Sequence, residues 1–347
     1  MRPIPTQAQV LWRLLRGANT SARVLAIADS RTFVRAVFLA SAVRLGILER
    51  LRAPHSCAEL AAATSTTRPD RLQAWLDVGV ELHELRRDVH GRYSLRGRRA
   101  RAIADEDPVL VPHYRSMLDY QAGPYDDLET LLRADADNED GRDDLSRHAA
   151  VIADVSLAAA PFVIPFLDEV VTAVRPRRAL DVGCGTGVYT AALLAADPTV
   201  EVDGLDLAPD VVEQARAHVD ASGFTPRAHL EAADIRDWEP PPGRSYELIT
   251  LLNDIYYFAE QHRAALYRRL SAHLAPNGEL VIVTMTRHGS IASAHLHFML
   301  ACQAGAASLP EAEALDVDLH RAGFTVLEHR TLVPTEPFLA VRARRAA

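Results

Sequence analysis

The stretch Ala179-Leu180-Asp181-Val182-Gly183-Cys184-Gly185-Thr186-Gly187 decides the fold. A short apolar run of strand character enters a turn with glycine at alternate positions, and a helical pattern follows from Val188. Glycine lets the backbone approach a ligand closely and take positive φ. The helix start behind the turn offers unpaired N–H groups and a positive dipole end. Such a loop suits a phosphate or the carboxylate of an amino-acid-like ligand. A dinucleotide fingerprint needs Gly-x-Gly-x-x-Gly, but Val188 occupies the third place and Gly187 comes one residue early. Asp181, just before the first glycine, would repel a diphosphate and attract an ammonium group.

Downstream, strand and helix patterns alternate. Strands are predicted at 179–183, 200–207, 228–234, 247–253, 279–285, 325–332 and 338–342, with helical stretches separating the first six, including 210–221 and 260–274. The alternation predicts an α/β fold, a Rossmann-like, doubly wound, mostly parallel seven-stranded sheet. Only Val333-Pro334-Thr335-Glu336 joins the last two strands, so they must be antiparallel neighbours.

In such sheets ligands bind at the carboxyl ends of strands. Asp206 ends the second strand of this series, where a carboxylate can accept both hydroxyls of a ribose, and Leu207 follows it. Asp234 ends the next strand; it could take the exocyclic amine of an adenine, with Ile235 packing on the ring. Asp181, Gly183, Gly185, Gly187, Asp206, Leu207, Asp234 and Ile235 are therefore the candidate cofactor-binding residues.

Upstream of residue 175 the pattern is mainly helical. Ser56 is placed to cap a short helix over Cys57–Ala63, and a second helix is expected from Arg68 to Leu85 with Pro69 in its first turn. A turn over Asp88–Gly91 and the run Arg92-Tyr93-Ser94-Leu95 then read as a small hairpin, so the unit resembles a winged helix-turn-helix. Such a unit can bind DNA, and Arg86, Arg87, Arg92, Arg96, Arg98, Arg99 and Arg101 form a basic run on or after the wing. The better reading of this run is a solvated face with salt bridges, in keeping with the acidic overall balance, so no nucleic-acid partner is expected. Residues 135–144 read as an acidic exposed loop, and 147–174 as an apolar helix broken at Pro161 and Pro165. The domain plan is thus 1–105 helical and winged, 106–174 a helical linker, and 175–347 the Rossmann-like domain.

Composition agrees with two globular domains: of 347 residues, 48% are apolar and 24% charged. The formal net charge of −8 gives no overall pull toward nucleic acid or an anionic membrane. All 38 basic residues are arginine. Cys57, Cys184 and Cys302 have neither metal-ligand spacing nor an even count, so a reduced, cytoplasmic setting is expected and no metal site. Met1–Val10 lacks the apolar core of a signal peptide, and Arg35 and Arg44 interrupt the apolar stretch 33–48, so no spanning segment is expected.

The order and spacing of these features resemble the class I S-adenosylmethionine-dependent methyltransferases. More narrowly, they resemble the small-molecule O-methyltransferases with an N-terminal winged-helix dimerisation domain. The resemblance is carried by Glu59-Leu60-Ala61, Gly91-Arg92-Tyr93-Ser94-Leu95, the glycine motif, Asp206, Asp234, Leu274-Ala275-Pro276-Asn277-Gly278 and Ala322-Gly323-Phe324. It implies S-adenosyl-L-methionine as cofactor, a small-molecule acceptor, a homodimer through the N-terminal domain, and a helix after the fifth strand that roofs the acceptor pocket.

One departure bears on mechanism. The family usually carries a histidine base just after the fourth strand; the matching stretch here is Leu252-Asn253-Asp254-Ile255-Tyr256-Tyr257-Phe258, with Asn253 in its place. An amide accepts no proton near neutral pH. Methyl transfer could then rest on alignment, with Asp254, a tyrosine or the substrate's own acidity handling the proton. Alternatively the nucleophile is a carbon, with or without a metal, or the fold serves a hydroxylase-like or cofactor-sensing role. His295 and His297 lie on the roofing helix, but residues two apart do not face the same way and would not chelate together. Asn253, Asp254, Tyr256, Tyr257 and His295 are the catalytic candidates.

Overall fold

Ser56 begins a helix as its side chain predicts: its hydroxyl accepts from the Glu59 N–H, and the Glu59 carboxylate accepts from the Ser56 N–H at 2.7 Å. This reciprocal capping box lies in the first of two compact units, Met1–Asp119 and Tyr120–Ala347, into which the computed structural model divides the chain. The structure describes residues 9, 19–133, 151–152, 156–303 and 308–346. The acidic stretch 135–144 and residues 147–150 lie outside them.

The first unit contains α1 (Thr20–Leu45), α2 (Cys57–Ala63), α3 (Pro69–Glu81), the antiparallel pair β1 (Leu85–Arg87) and β2 (Tyr93–Leu95), α4 (Arg98–Ala104) and α5 (Leu110–Ser116). The helix expected to run to Leu85 stops at Glu81, because His83 turns left-handed at φ 61° and Leu85 already pairs with Leu95. Arginines of the basic run have local partners: Arg92 donates to the Pro54 carbonyl and to Glu59, and Arg99 pairs with buried Glu84.

The second unit contains α6 (Ala160–Val174), β3 (Arg178–Val182), α7 (Val188–Ala196), β4 (Glu201–Asp206), α8 (Pro209–Ala221), β5 (Ala228–Ala232), β6 (Tyr246–Leu252), α9 (Glu260–His273), β7 (Leu274–Met285), α10 (Ile291–Ala301), α11 (Ala312–Arg321), β8 (Phe324–Val333) and β9 (Phe338–Arg345). The sheet order is β5-β4-β3-β6-β7-β9-β8, parallel except for β9, which is antiparallel to both neighbours. This is the doubly wound sheet with a terminal hairpin that the pattern predicts. Two local expectations need correction. No helix joins β5 to β6, because Pro240, Pro241 and Pro242 in that link cannot donate helical hydrogen bonds. Pro165 does not break α6, and Pro161 sits in its first turn. The buried face of Val163, Phe166, Leu167, Val170 and Val171 holds α6 together against the sheet.

Strand periodicity splits the core into two layers. Leu180, Val182, Ile249 and Leu251 face one side, with α9 and α11 residues such as Leu266 and Leu319. Ala179, Leu248 and Leu252 face the other, with α6 and α7. Leu157–Val174 is long and apolar enough by composition to cross a membrane, but its buried face is part of this second layer. Asp181 and Thr250 fall by alternation on the α7 side, which places a carboxylate inside the molecule beneath the glycine loop.

Candidate functional site

Four carboxylates lie at or just beyond the carboxyl ends of four adjacent parallel strands: Asp181 on β3, Asp206 on β4, Asp234 after β5 and Asp254 after β6. Asp181 is 1% exposed; one oxygen accepts from the Thr190 hydroxyl at 2.6 Å and the other from the Thr250 hydroxyl at 2.8 Å. Burial pushes its pKa up to about 6, with the nearby Asp206 adding to the rise and the two hydroxyls opposing it. The carboxyl thus lies under the loop, braced by α7 and β6. Sequence spacing gives no sign of the two threonines, whose role arises only when α7 and β6 close around β3.

The loop above it has Gly183, Gly185 and Gly187 at φ 70°, 53° and 80°, all in the left-handed region that side chains disfavour. At Gly183 a Cβ would also stand 2.6 Å from the Asp254 carboxyl carbon. Bare backbone at this position is what lets the acid after β6 lie against the loop. Asp206 ties the loop to β4, accepting from the Gly185 N–H and the Ala208 N–H at 3.0 Å each. Each oxygen takes one N–H bond and keeps lone pairs for further donors. Leu207 beside it is 39% exposed.

Asp234 is more committed than the sequence suggests. It accepts from both Nε and Nη2 of Arg236, two residues on, as well as from the Arg236 N–H. Ile235 is 4% exposed and packs in the core layer with Leu180 and Val182, away from an open face.

The exit from β6 explains the asparagine. Asn253 is left-handed at φ 57°, and its N–H donates to the Val283 carbonyl at 2.8 Å. Asparagine is among the few residues with a side chain that tolerate this region. Asp254 follows, and its carboxyl has no hydrogen-bond partner among the described residues. Burial pushes its pKa up to about 8, and the charges of Asp206, Asp181 and Asp234 contribute to the rise. The next turn, Ile255–Tyr257, packs the Tyr256 and Tyr257 rings edge to face with centroids 4.7 Å apart. Burial raises both phenols far above their ordinary pKa, so they remain protonated and act as hydrogen-bonding groups, not bases. Tyr256 also packs on Leu296 and Leu300 of α10, and its carbonyl accepts from the Ser308 N–H.

His295, on α10, has both ring nitrogens engaged. Nδ1 lies 2.9 Å from the Tyr125 hydroxyl and Nε2 lies 3.2 Å from Gln121 Oε1. An amide oxygen only accepts, so Nε2 carries the proton and Nδ1 accepts from Tyr125. Burial lowers the His295 pKa, which keeps the ring neutral. His297 turns elsewhere and accepts from Arg287 at 3.0 Å. Tyr120, Gln121 and Tyr125, none of them marked by a motif, join this wall through residues of α10 and the turn after it: the Gln303 amide donates to the Tyr120 hydroxyl. Among the described residues no group of three or more His, Cys, Asp or Glu side chains is arranged to hold a metal ion.

The glycine loop and its acids lie inside a recognisable segment: residues 179–278 match the family described as a methyltransferase domain. Over 107 residues the chain is 39% identical to trans-aconitate 2-methyltransferase of Methylobacterium radiotolerans, a match covering 31% of this chain and 37% of that protein. The chain thus spans about a third of the length of the curated relatives it matches. Similarity to solved structures runs through almost the whole chain at low identity. Human N-acetylserotonin methyltransferase in complex with S-adenosylmethionine superposes with a TM-score of 0.75 at 15% identity, over 96% of this chain and 99% of that one. The N,N-8-amino-8-demethyl-D-riboflavin dimethyltransferase of Streptomyces davawensis gives 0.68 at 20% identity, over 99% and 100%.

Proposed function

We propose, for a chain whose residues 179–278 form a methyltransferase domain, that it transfers a methyl group from S-adenosylmethionine to a small organic acceptor. The observation that carries this reading is the bare-backbone loop with four carboxylates around it. Asp181 and Asp206 have no arginine among their described partners, and Asp254 can release its proton to a cation, so an ammonium and a sulfonium would both be drawn into the site. Gly183, Gly185 and Gly187 would admit the methionine portion, with Asp181 as the charge beneath. Asp206 would receive the ribose hydroxyls on its remaining lone pairs, with Leu207 beside them. Asp234, held flat by Arg236, would meet the adenine amine, and Ile235 supports that floor from the core.

Bound there, the cofactor supplies a methyl group on a positively charged sulfur. The acceptor's lone pair forms the new bond to the methyl carbon as the carbon–sulfur bond breaks and its electron pair returns to sulfur. Asp254 is the group suited to take the acceptor's proton, because it faces the loop and its pKa of about 8 lies near the working pH. Tyr256 and Tyr257 position the acceptor as protonated phenols, and Asn253 sets the turn that aims Asp254. His295, neutral and hydrogen-bonded on both sides, orients the wall. We favour oxygen over carbon as the acceptor atom, by analogy with the small-molecule O-methyltransferases that the sequence resembles. Alignment of the two partners could supply roughly 7–11 kcal/mol of the acceleration. Calorimetry tests the cofactor site: Asp206→Ala should weaken S-adenosylmethionine binding at least tenfold. Unchanged affinity in that variant, or no binding by the parent protein, would remove the reading.

The setting we infer is bacterial specialised metabolism, including antibiotic biosynthesis, and the cytoplasm, in keeping with three unpaired cysteines. We also infer a homodimer through the first unit. Its α1 exposes Val24, Leu25, Ile27 and Phe33, with Ile27 at 72% and Phe33 at 67%, a row that a partner copy would cover. The double variant Ile27→Asp, Phe33→Asp is expected to sediment as a monomer. If it keeps the parent's sedimentation coefficient, this face is not the dimer contact.

A further inference from the structure

A buried cation stands at the start of α9. Arg263, near the first turn of that helix, is 4% exposed. Its Nε donates to the Phe258 carbonyl at 3.0 Å, and its Nη2 donates to the Ser308 carbonyl and, at 3.2 Å, to the Ser308 hydroxyl. Ser308 in turn donates its N–H to the Tyr256 carbonyl at 3.1 Å. Resting on the methyltransferase reading above, we propose that Arg263 is a positioning residue: its guanidinium bridges the turn after β6 to the segment at Ser308 and thereby holds Asp254 against the glycine loop.

Neither local folding nor charge pairing accounts for an arginine at this place. A cation near a helix N-terminus faces the positive end of the dipole, and a buried guanidinium gives up its hydration. Burial lowers the Arg263 pKa accordingly. Arg263 makes no ion pair among the described residues; Glu260 and Asp318 act on it through space. Its described acceptors are neutral oxygens on two segments that meet only in the folded protein. A planar guanidinium presents Nε and Nη2 to two acceptors at once, a geometry that neither an ammonium nor an amide reproduces.

The bridge reaches Asp254 through a few residues of backbone. The Asp254 carbonyl accepts from the Tyr257 N–H at 3.0 Å, and the Ile255 carbonyl from the Phe258 N–H at 3.2 Å. The turn is thus closed on itself and tied to Arg263 at Phe258 and to Ser308 at Tyr256. The charges that act on the Asp254 carboxyl are those of Asp206, Asp181 and Asp234, so Arg263 acts on it through this backbone and not through its own field. Leu309, next to Ser308, clusters with Tyr256 and Leu300 of α10, and the Pro310 carbonyl accepts from the Arg287 N–H at 2.9 Å. One guanidinium therefore joins the turn that aims the acid to the chain that follows α10.

The test titrates S-adenosylmethionine and S-adenosylhomocysteine into the full-length protein by calorimetry at pH 8. The two ligands differ at sulfur, where only the first carries the positive charge that a well-placed Asp254 would meet. Arg263→Gln is expected to weaken S-adenosylmethionine binding by about tenfold or more, while S-adenosylhomocysteine binding changes by less than about threefold. In an Asp254→Asn background the same substitution should leave S-adenosylmethionine affinity almost unchanged, as expected of residues acting in series. Arg263→Lys keeps the charge and the stem but lacks the fork. It should shift binding in the same direction, and it decides the matter if Arg263→Gln does not fold. Hydrogen exchange adds a measure that needs no ligand: segments 254–258 and 308–311 should exchange faster in the variant, with the α9 amides beyond its first turn unchanged. Failure of the parent protein to bind S-adenosylhomocysteine would count against the methyltransferase reading itself, while exchange would still decide the bridge. Equal weakening of both ligands, an undiminished effect in the Asp254→Asn background, full parent behaviour in Arg263→Lys, or unaltered exchange in those two segments overturns the proposal.

Discussion

Replacing Asp254 with asparagine should lower kcat by about 10²- to 10⁴-fold, the range spanned by loss of a positioned proton acceptor, while the protein still folds and binds S-adenosylhomocysteine. The amide has nearly the same shape and still fits against Gly183, where the carboxyl now stands 2.6 Å from a would-be Cβ. What changes is charge and proton affinity. In the ligand-free protein the carboxyl is pushed up to about 8, first by burial and then by Asp206, Asp181 and Asp234. An unfolded aspartate titrates near 3.9, so between about pH 4 and pH 8 the folded state holds a proton that the unfolded state has released. Stability from this group is full below the unfolded value and falls as pH rises toward 8. A cation entering the site favours the ionised form and expels that proton. S-adenosylmethionine affinity should therefore climb as pH rises from 6 to 8, with proton release visible as a buffer-dependent calorimetric enthalpy. Both effects should be largely lost in Asp254→Asn. A variant that keeps its kcat would remove Asp254 from the proton path. A pH-independent affinity in the parent protein would show that Asp254 does not change protonation when the ligand binds.

The second large effect is expected at Gly183→Ala. A methyl group there meets two obstacles, a φ of 70° and the Asp254 carboxyl. Left-handed strain in a residue with a side chain costs on the order of 1–3 kcal/mol. The steric clash must in addition move either the loop or the turn after β6. Because the loop and Asp254 are the two sides of the proposed cofactor site, S-adenosylhomocysteine affinity should fall more than a hundredfold, and thermal unfolding should shift down by several degrees. The double variant Gly183→Ala, Asp254→Gly separates the causes. Removing the carboxyl relieves the clash but leaves the backbone strain, so affinity should recover in part and the two substitutions should be non-additive. Strict additivity would mean that the loop and Asp254 do not share the site.

Both predictions turn on a contact that no motif announces, which marks where sequence reading stops. From Ala179 to Gly187, the apolar strand, the alternate glycines and the helix behind them could be read directly, because backbone conformation there depends on local residue type. The same holds for the strand series, the terminal hairpin, the Ser56 cap and the placement of Asp206 and Asp234 at strand ends: period-two burial and chain direction fix them before any packing is known. The substitution of Asn253 for a histidine was equally legible as an exclusion of one base. Its cause was not. The left-handed turn at Asn253 exists only because β6 hands the chain across to Val283 of β7.

Sequence alone therefore determined the architecture, the loop and the identity of the acids, since each depends on neighbours within a few residues. Only the tertiary structure decided their states. It set Asp181 between Thr190 and Thr250, locked Asp234 to Arg236, placed Ile235 in the core, bound both nitrogens of His295, and left Asp254 facing bare glycine among like charges. The physical reason is that burial and Coulomb interaction depend on distance through space. Residues 120, 181, 254 and 295 are far apart along the chain, and folding alone brings them to one end of the sheet.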